Sequence, residues 1–118
     1  MTGRTAHLSG LAAEEGVLRH YLRAGLQIVA RRWRGRGGEI DLIARSSDGY
    51  VFIEVKAARD LATAAERLST RQMGRLALAA QEFLGGVAGG LANPMRIDVA
   101  LVDGQGRIEV CENAVIGA

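Results

Sequence analysis

The stretch EIDLIARSSDGYVFIEVK, residues 39–56, holds two alternating segments around Ser46-Ser47-Asp48-Gly49. Alternation of apolar and polar residues marks half-buried strands, and a Ser/Asp/Gly cluster between two such runs marks a hairpin turn. With a loop over 46–49, Arg45 faces Tyr50. Ile40–Val55, Leu42–Ile53 and Ala44–Val51 then form one wholly apolar face. The other face pairs Glu39 with Lys56, Asp41 with Glu54, Ile43 with Phe52 and Arg45 with Tyr50. A three-residue loop would set Asp41 opposite Val55 and mix the faces. A two-residue Asp48-Gly49 turn keeps the faces but slides Asp41 opposite Lys56.

Under either permitted register Asp41, Glu54 and Lys56 share one face. Two carboxylates directly across an antiparallel pair, with Cβ atoms roughly 5 Å apart, destabilise a sheet unless something neutralises them. A hard divalent cation does so, since Mg²⁺ takes one or two carboxylates and keeps positions for solvent and phosphate oxygens. An ammonium on the same face can orient the attacking water or accept its proton. Those three side chains would therefore suit phosphodiester hydrolysis. A purely structural ion cluster on a half-exposed sheet face fits the same triplet. Lys56 is the only lysine in the chain, beside fourteen arginines, which raises a specific need for an ammonium to equal weight with the structural reading.

Outward from the hairpin, Gly10 to Ala24 carries Leu11, Val17, Leu18, Tyr21 and Leu22 at helical spacing, with Gly25 as a stop. Residues 1–9 show no periodic pattern and read as a loose lead-in. Leu26 to Arg32 alternates weakly, as a strand does, and residues 34–38 read as a loop. Leu61 to Leu68 is ambiguous. Ser69 is the N-cap expected for the next helix, with Gln72 three residues on as a capping-box partner. Met73, Leu76, Ala80, Phe83 and Leu84 mark that helix's apolar face, and Gly85-Gly86 closes it. Gly85 to Pro94 reads as loop. Met95 to Val102 and Gly106 to Cys111 form a closing hairpin. The expected order is α-β-β-β-α-β-β within one domain spanning 1–118.

Composition bounds the function. The chain has 118 residues, 48% of them hydrophobic and 24% charged, which suits one ordinary globular core. No unbroken hydrophobic run exceeds the five residues Leu76 to Ala80, too few to span a membrane. No signal-peptide core is evident near the N-terminus, which leads us to expect a cytoplasmic protein. The single cysteine, Cys111, excludes an internal disulfide framework and multi-cysteine metal sites. His7 and His20 have no ligand partners at metal spacing. Gly35-Arg36-Gly37-Gly38 leads into a strand, unlike a phosphate-binding loop, which opens a helix. The net charge of +2 does not by itself demand a polyanionic partner. Arg31, Arg32, Arg34 and Arg36, just ahead of the hairpin, are candidate phosphate contacts. Trp33 among them is read as packing at a sheet edge or stacking on a base.

The blocks GEIDLIA (38–44) and VFIEVK (51–56), at this spacing, resemble the signature of the YraN family. These are small bacterial proteins regarded as predicted endonucleases related to Holliday junction resolvases, within the PD-(D/E)XK restriction-endonuclease-like superfamily. The resemblance covers roughly Gly10 to Val102. It implies an α/β fold, an α-β-β-β-α-β core whose mixed sheet is flanked by helices. It implies a metal-dependent endonuclease acting on DNA, with branched or structured DNA among its substrates. Asp41 and Glu54 would be the metal-binding carboxylates, with Mg²⁺ or Mn²⁺ as the cofactor, and Lys56 the catalytic lysine. Gly10 and Glu14 match the family's Gly-x-x-x-Glu opening, which makes Glu14 a further site residue. Gln72 stands where relatives often carry a lysine, and Ala58 where many carry an arginine. A homodimer is compatible with the resemblance, and a non-catalytic nucleic-acid-binding module on the same fold is the alternative function.

Overall fold

The computed structural model describes the backbone of residues 2–114 and the side chains of residues 10–114. A single five-stranded sheet runs in chain order, β1 (Gln27–Arg34), β2 (Glu39–Ser46), β3 (Gly49–Ala57), β4 (Met95–Val102) and β5 (Ile108–Cys111). Every neighbouring pair is antiparallel except β3 and β4, which are parallel. A parallel pair needs a long crossover, here formed by helices α2 (Leu61–Glu66) and α3 (Thr70–Gly85) and a 3₁₀ turn at Gly90–Ala92. The sheet is therefore mixed and flanked by helices, as the α-β-β-β-α-β reading requires.

Helix α1 (Thr2–Arg23) lies on one face of the sheet. It starts earlier than the expected Gly10: residues 2–9 lack an apolar stripe, but they contain no proline to stop a helix from propagating. Among its described side chains the buried ones are Ala13, Val17 and Tyr21, one turn apart, packed on Leu42, Ala44, Val51, Ile53, Ala100 and Val102. Leu22, expected inside, is 48% exposed, because the stripe that meets the sheet is centred on Val17. On the opposite face α3 packs Leu76, Ala79, Ala80 and Leu84 on Ile40, Ile43, Tyr50, Phe52 and Ile97. Trp33 meets Phe83 edge to face at 5.5 Å, so it packs at the sheet edge. The ambiguous stretch 61–68 contains α2, capped by the Asp60 side chain, which accepts the Thr63 N–H.

The hairpin register is Arg45–Tyr50, Ala44–Val51, Ile43–Phe52 and Leu42–Ile53, as expected for a loop over 46–49. There the regular ladder ends. Glu39–Lys56, Ile40–Val55 and Asp41–Glu54 do not pair, and Ile40 buries with Ile43 on the α3 face instead of with Leu42 and Ala44 on the α1 face. The cause lies on both sides of β2. Toward β3, the Asp41 carboxylate takes the Val55 N–H at 2.7 Å in place of a backbone carbonyl. Toward β1, Arg31–Leu42 and Trp33–Ile40 leave Arg32 opposite Asp41, and Arg32 has φ +50°. A non-glycine residue in the left-handed region turns the strand and switches the faces. A second irregularity between Ile28 and Ala30 sends those residues to opposite faces, against the simple alternation expected of β1.

Candidate active site

Asp41 is displaced from the ladder at the point where β2 and β3 part. Glu54 and Lys56 lie two apart on β3, on the same face as Tyr50 and Phe52, where the parallel neighbours are Val99 and Leu101. That face is covered by α2 and α3. The Lys56 ammonium lies 3.2 Å from Glu54 Oε2, with side-chain exposures of 15% and 12%. Gln72 Nε2 donates to the same Glu54 oxygen at 3.4 Å. Ser69 does cap α3, accepting the Gln72 backbone N–H at 3.1 Å, but the Gln72 side chain reaches the cluster and not the cap. One helix N-terminus thus presents its third residue to the sheet carboxylate.

Burial, foremost, and then the Glu54 charge push Asp41 up to about 7. The Val55 N–H pulls the other way, and the Glu14 charge adds a smaller push upward. Close carboxylates in a poorly solvated place resist sharing two negative charges. Lys56 and Gln72 both engage Glu54, while the Asp41 carboxylate takes the Val55 backbone N–H and shares a hydrogen bond with Glu54. Such a pair suits a hard divalent cation that takes one or two carboxylates and completes its shell with solvent and substrate oxygens. Among the described residues no group of three Asp, Glu, His or Cys stands at metal-holding spacing.

Glu14 approaches from the other face of the sheet. It is bound by Arg32 Nε at 3.2 Å and reaches Asp41 through its charge. Its neighbour Glu15 is held by Arg31 at 2.9 Å and, more loosely, by Arg19 at 4.0 Å. Arg34 pairs with Glu39 at 3.0 Å. Three of the four arginines expected to contact phosphates thus already have carboxylate partners. The fourth, Arg36, is exposed and donates its backbone N–H to Glu82. Sequence reading did not single out Arg67, which lies inside the ambiguous stretch, just after α2, and donates from Nη1 to the Ala57 carbonyl at 2.7 Å, one residue beyond Lys56. No periodicity signals such a contact, since it depends on where α2 ends.

Away from the cluster, Asp98 is fully buried beneath α1. It accepts the Tyr21 hydroxyl at 2.8 Å, Arg96 Nε at 3.1 Å and the Asn113 N–H at 3.0 Å. Burial and the neighbouring Asp98 push the Tyr21 phenol well above its usual range. With all these donors in place, this network is a structural latch that ties the chain after β5 to β4. His20 and Cys111 are exposed.

Comparison with known proteins agrees on one family. The model of the Uncharacterised protein family UPF0102 matches residues 13–102, a span that contains Glu14, Asp41, Glu54, Lys56 and Gln72. The UPF0102 protein of Ruegeria pomeroyi is 62% identical over 112 residues, covering 95% of this chain and 91% of the relative. That of Cereibacter sphaeroides strain ATCC 17025 is 55% identical over 114 residues, covering 97% of each. That of Roseobacter denitrificans is 44% identical over 113 residues, covering 96% and 88%. With the family match extending from α1 to the end of β4 and relatives aligned over nearly their whole length, the chain belongs to the UPF0102 family.

Proposed function

We propose that this protein is a metal-dependent endonuclease that hydrolyses phosphodiester bonds in DNA, branched or otherwise structured DNA among its substrates. The observation that carries this reading is the displacement of Asp41 from the strand ladder toward Glu54, with Lys56 and Gln72 fixed on the same carboxylate. Two carboxylates lie close together here, and the one ammonium beside them pairs with Glu54 alone, which leaves Asp41 without a cationic partner in the cluster. Asp41 and Glu54 would hold Mg²⁺ or Mn²⁺, which when bound stabilises charge on the phosphoryl oxygens and lowers the pKa of a coordinated water.

The side chains have separate tasks. Lys56, nearly buried and held by Glu54, would point its ammonium at the attacking water or the phosphate. Gln72 would fix the Glu54 carboxylate while its second amide proton stays available. The Val55 N–H would keep Asp41 oriented through a backbone donor that cannot swing away. Among the described residues no helix is long and apolar enough to cross a membrane, and we place the protein's work in the cytoplasm. A homodimer would supply the two sites needed to cut two strands symmetrically.

Cleavage of labelled linear, single-stranded and four-way-junction DNAs, with Mg²⁺ or Mn²⁺, tests the reading on wild type, Asp41→Asn and Lys56→Ala. Cutting that requires metal and disappears in both variants is the expected result. Binding without cutting, equal in all three proteins, would instead make the chain a nucleic-acid-binding module.

A further inference from the structure

A groove of about 680 Å³ crosses the carboxyl ends of the parallel strands β3 and β4. Crevices outside the carboxyl ends of parallel strands are where open α/β sheets hold ligands. α1 contributes Gly10, Ala12, Ala13, Gly16 and Arg19 to its lining, and Ala57 and Ala58, directly after Lys56, line it as well. Arg19, Arg59 and Arg67 line it against a single carboxylate, Asp103. That carboxylate is already bound by Arg107 Nε at 2.6 Å and by two backbone N–H groups.

The arginines here differ from those before β2. Arg67 has no carboxylate within 4.0 Å among the described residues, and its hydrogen bond to the neutral Ala57 carbonyl leaves its charge uncompensated. Arg59 meets only the exposed Asp60, at 3.4 Å, and Arg19 meets Glu15 at 4.0 Å while that carboxylate is held more closely by Arg31. Exposed pairs of this kind are worth little and yield readily to a phosphate. Arg31, Arg32 and Arg34 pair with carboxylates at 2.9 to 3.2 Å, Arg31 and Arg34 in similarly exposed positions, but none of the three lines the groove.

We infer that this groove, at the carboxyl ends of β3 and β4, binds the phosphodiester backbone of a single nucleic-acid strand, with Arg19, Arg59 and Arg67 as its phosphate contacts. The inference rests on the nuclease reading for its ligand class. Its test does not depend on cleavage. Binding of a fluorescent single-stranded DNA 12-mer is followed by anisotropy in EDTA, from 25 to 300 mM salt. Arg19→Glu and Arg59→Glu should each weaken binding at least five-fold and reduce the slope of log affinity against log salt by about 0.7, the value for one phosphate contact on a single strand. Arg31→Glu and Arg34→Glu, identical in charge change, should weaken it less than two-fold. Gly10→Leu supplies a neutral plug. A Cβ at Gly10 meets no atom within 4 Å, and leucine is the better helix former. It should weaken binding while leaving the number of phosphate contacts to the remaining arginines, and hence most of the slope, in place.

Loss of binding in Arg31→Glu and Arg34→Glu with none in Arg19→Glu and Arg59→Glu would overturn the groove assignment. So would an unbound 12-mer in wild type, or displacement of the 12-mer by a mononucleotide at equal affinity, which would make the occupant a small phosphate ester. Groove-dependent binding with no metal-dependent cutting would uphold the groove and count against the nuclease reading, so the two fail separately.

Discussion

Replacing Asp41 with asparagine should make the protein more stable at pH 8 and leave it nearly unchanged at pH 4. In the folded chain Asp41 titrates near 7, whereas in the unfolded chain it titrates near its ordinary 3.8. Between those values the folded state binds more protons, so wild-type stability must fall as pH rises through that window and level off above 7. About three pKa units at 1.36 kcal/mol each bounds the cost at roughly 4 kcal/mol, and relaxation of the pair reduces the expected effect to about 2–4 kcal/mol. Asparagine keeps an oxygen for the Val55 N–H and adds donors toward Glu54, so it removes the charge and keeps the shape. At roughly 3–6 °C per kcal/mol for a domain of this size, the variant should melt some 6–24 °C higher at pH 8 in EDTA. Thermal unfolding from pH 4 to 9 measures this, and the difference between the two proteins cancels the other titrating groups. Millimolar Mg²⁺ or Mn²⁺ should then raise the wild-type Tm at pH 8 and leave Asp41→Asn unmoved, because binding stabilises only the state that holds the ion. Parallel stability curves for the two proteins across pH 4.5–8 would refute the reasoning, and with it the argument that this carboxylate pair needs a cation.

Three other outcomes are expected. Lys56→Met should lower stability at pH 8 by about 1–3 kcal/mol, read as a urea midpoint shift, because Glu54 keeps its burial and loses its ammonium. Tyr21→Phe should cost about 1–3 kcal/mol in the same assay, since the fully buried Asp98 loses one of its donors. Gly49→Ala should cost about 2–4 kcal/mol or prevent folding, because φ is +143° there and the added Cβ would collide with the Pro94 carbonyl. A soluble Gly49→Ala variant with a wild-type Tm would show that the β3–β4 start can relax.

The amino-acid sequence determined the parts whose cause is local. Alternation around Ser46–Gly49 set the β2–β3 register from Leu42 to Ser46, Ser69 capped α3, and Gly25 and Gly85-Gly86 bounded helices. It also placed Asp41, Glu54 and Lys56 on one hairpin, because residues two apart on a strand share a face. Where local rules stopped, long-range contacts decided. The ladder beyond Leu42–Ile53 opens because a side chain, Asp41, outcompetes backbone for the Val55 N–H and because Arg32 on another strand takes a left-handed conformation. Alternation alone cannot register either event. Gln72 serves both the cap, through its backbone, and Glu54, through its side chain, eighteen residues away in sequence. The arginines before β2 are clustered in sequence, yet carboxylates from α1 and β2 neutralise three of them. Arg19, Arg59 and Arg67, scattered along the chain, meet in one groove. Charge is a property of residues, but free charge is a property of neighbours, and only the tertiary structure assigns those.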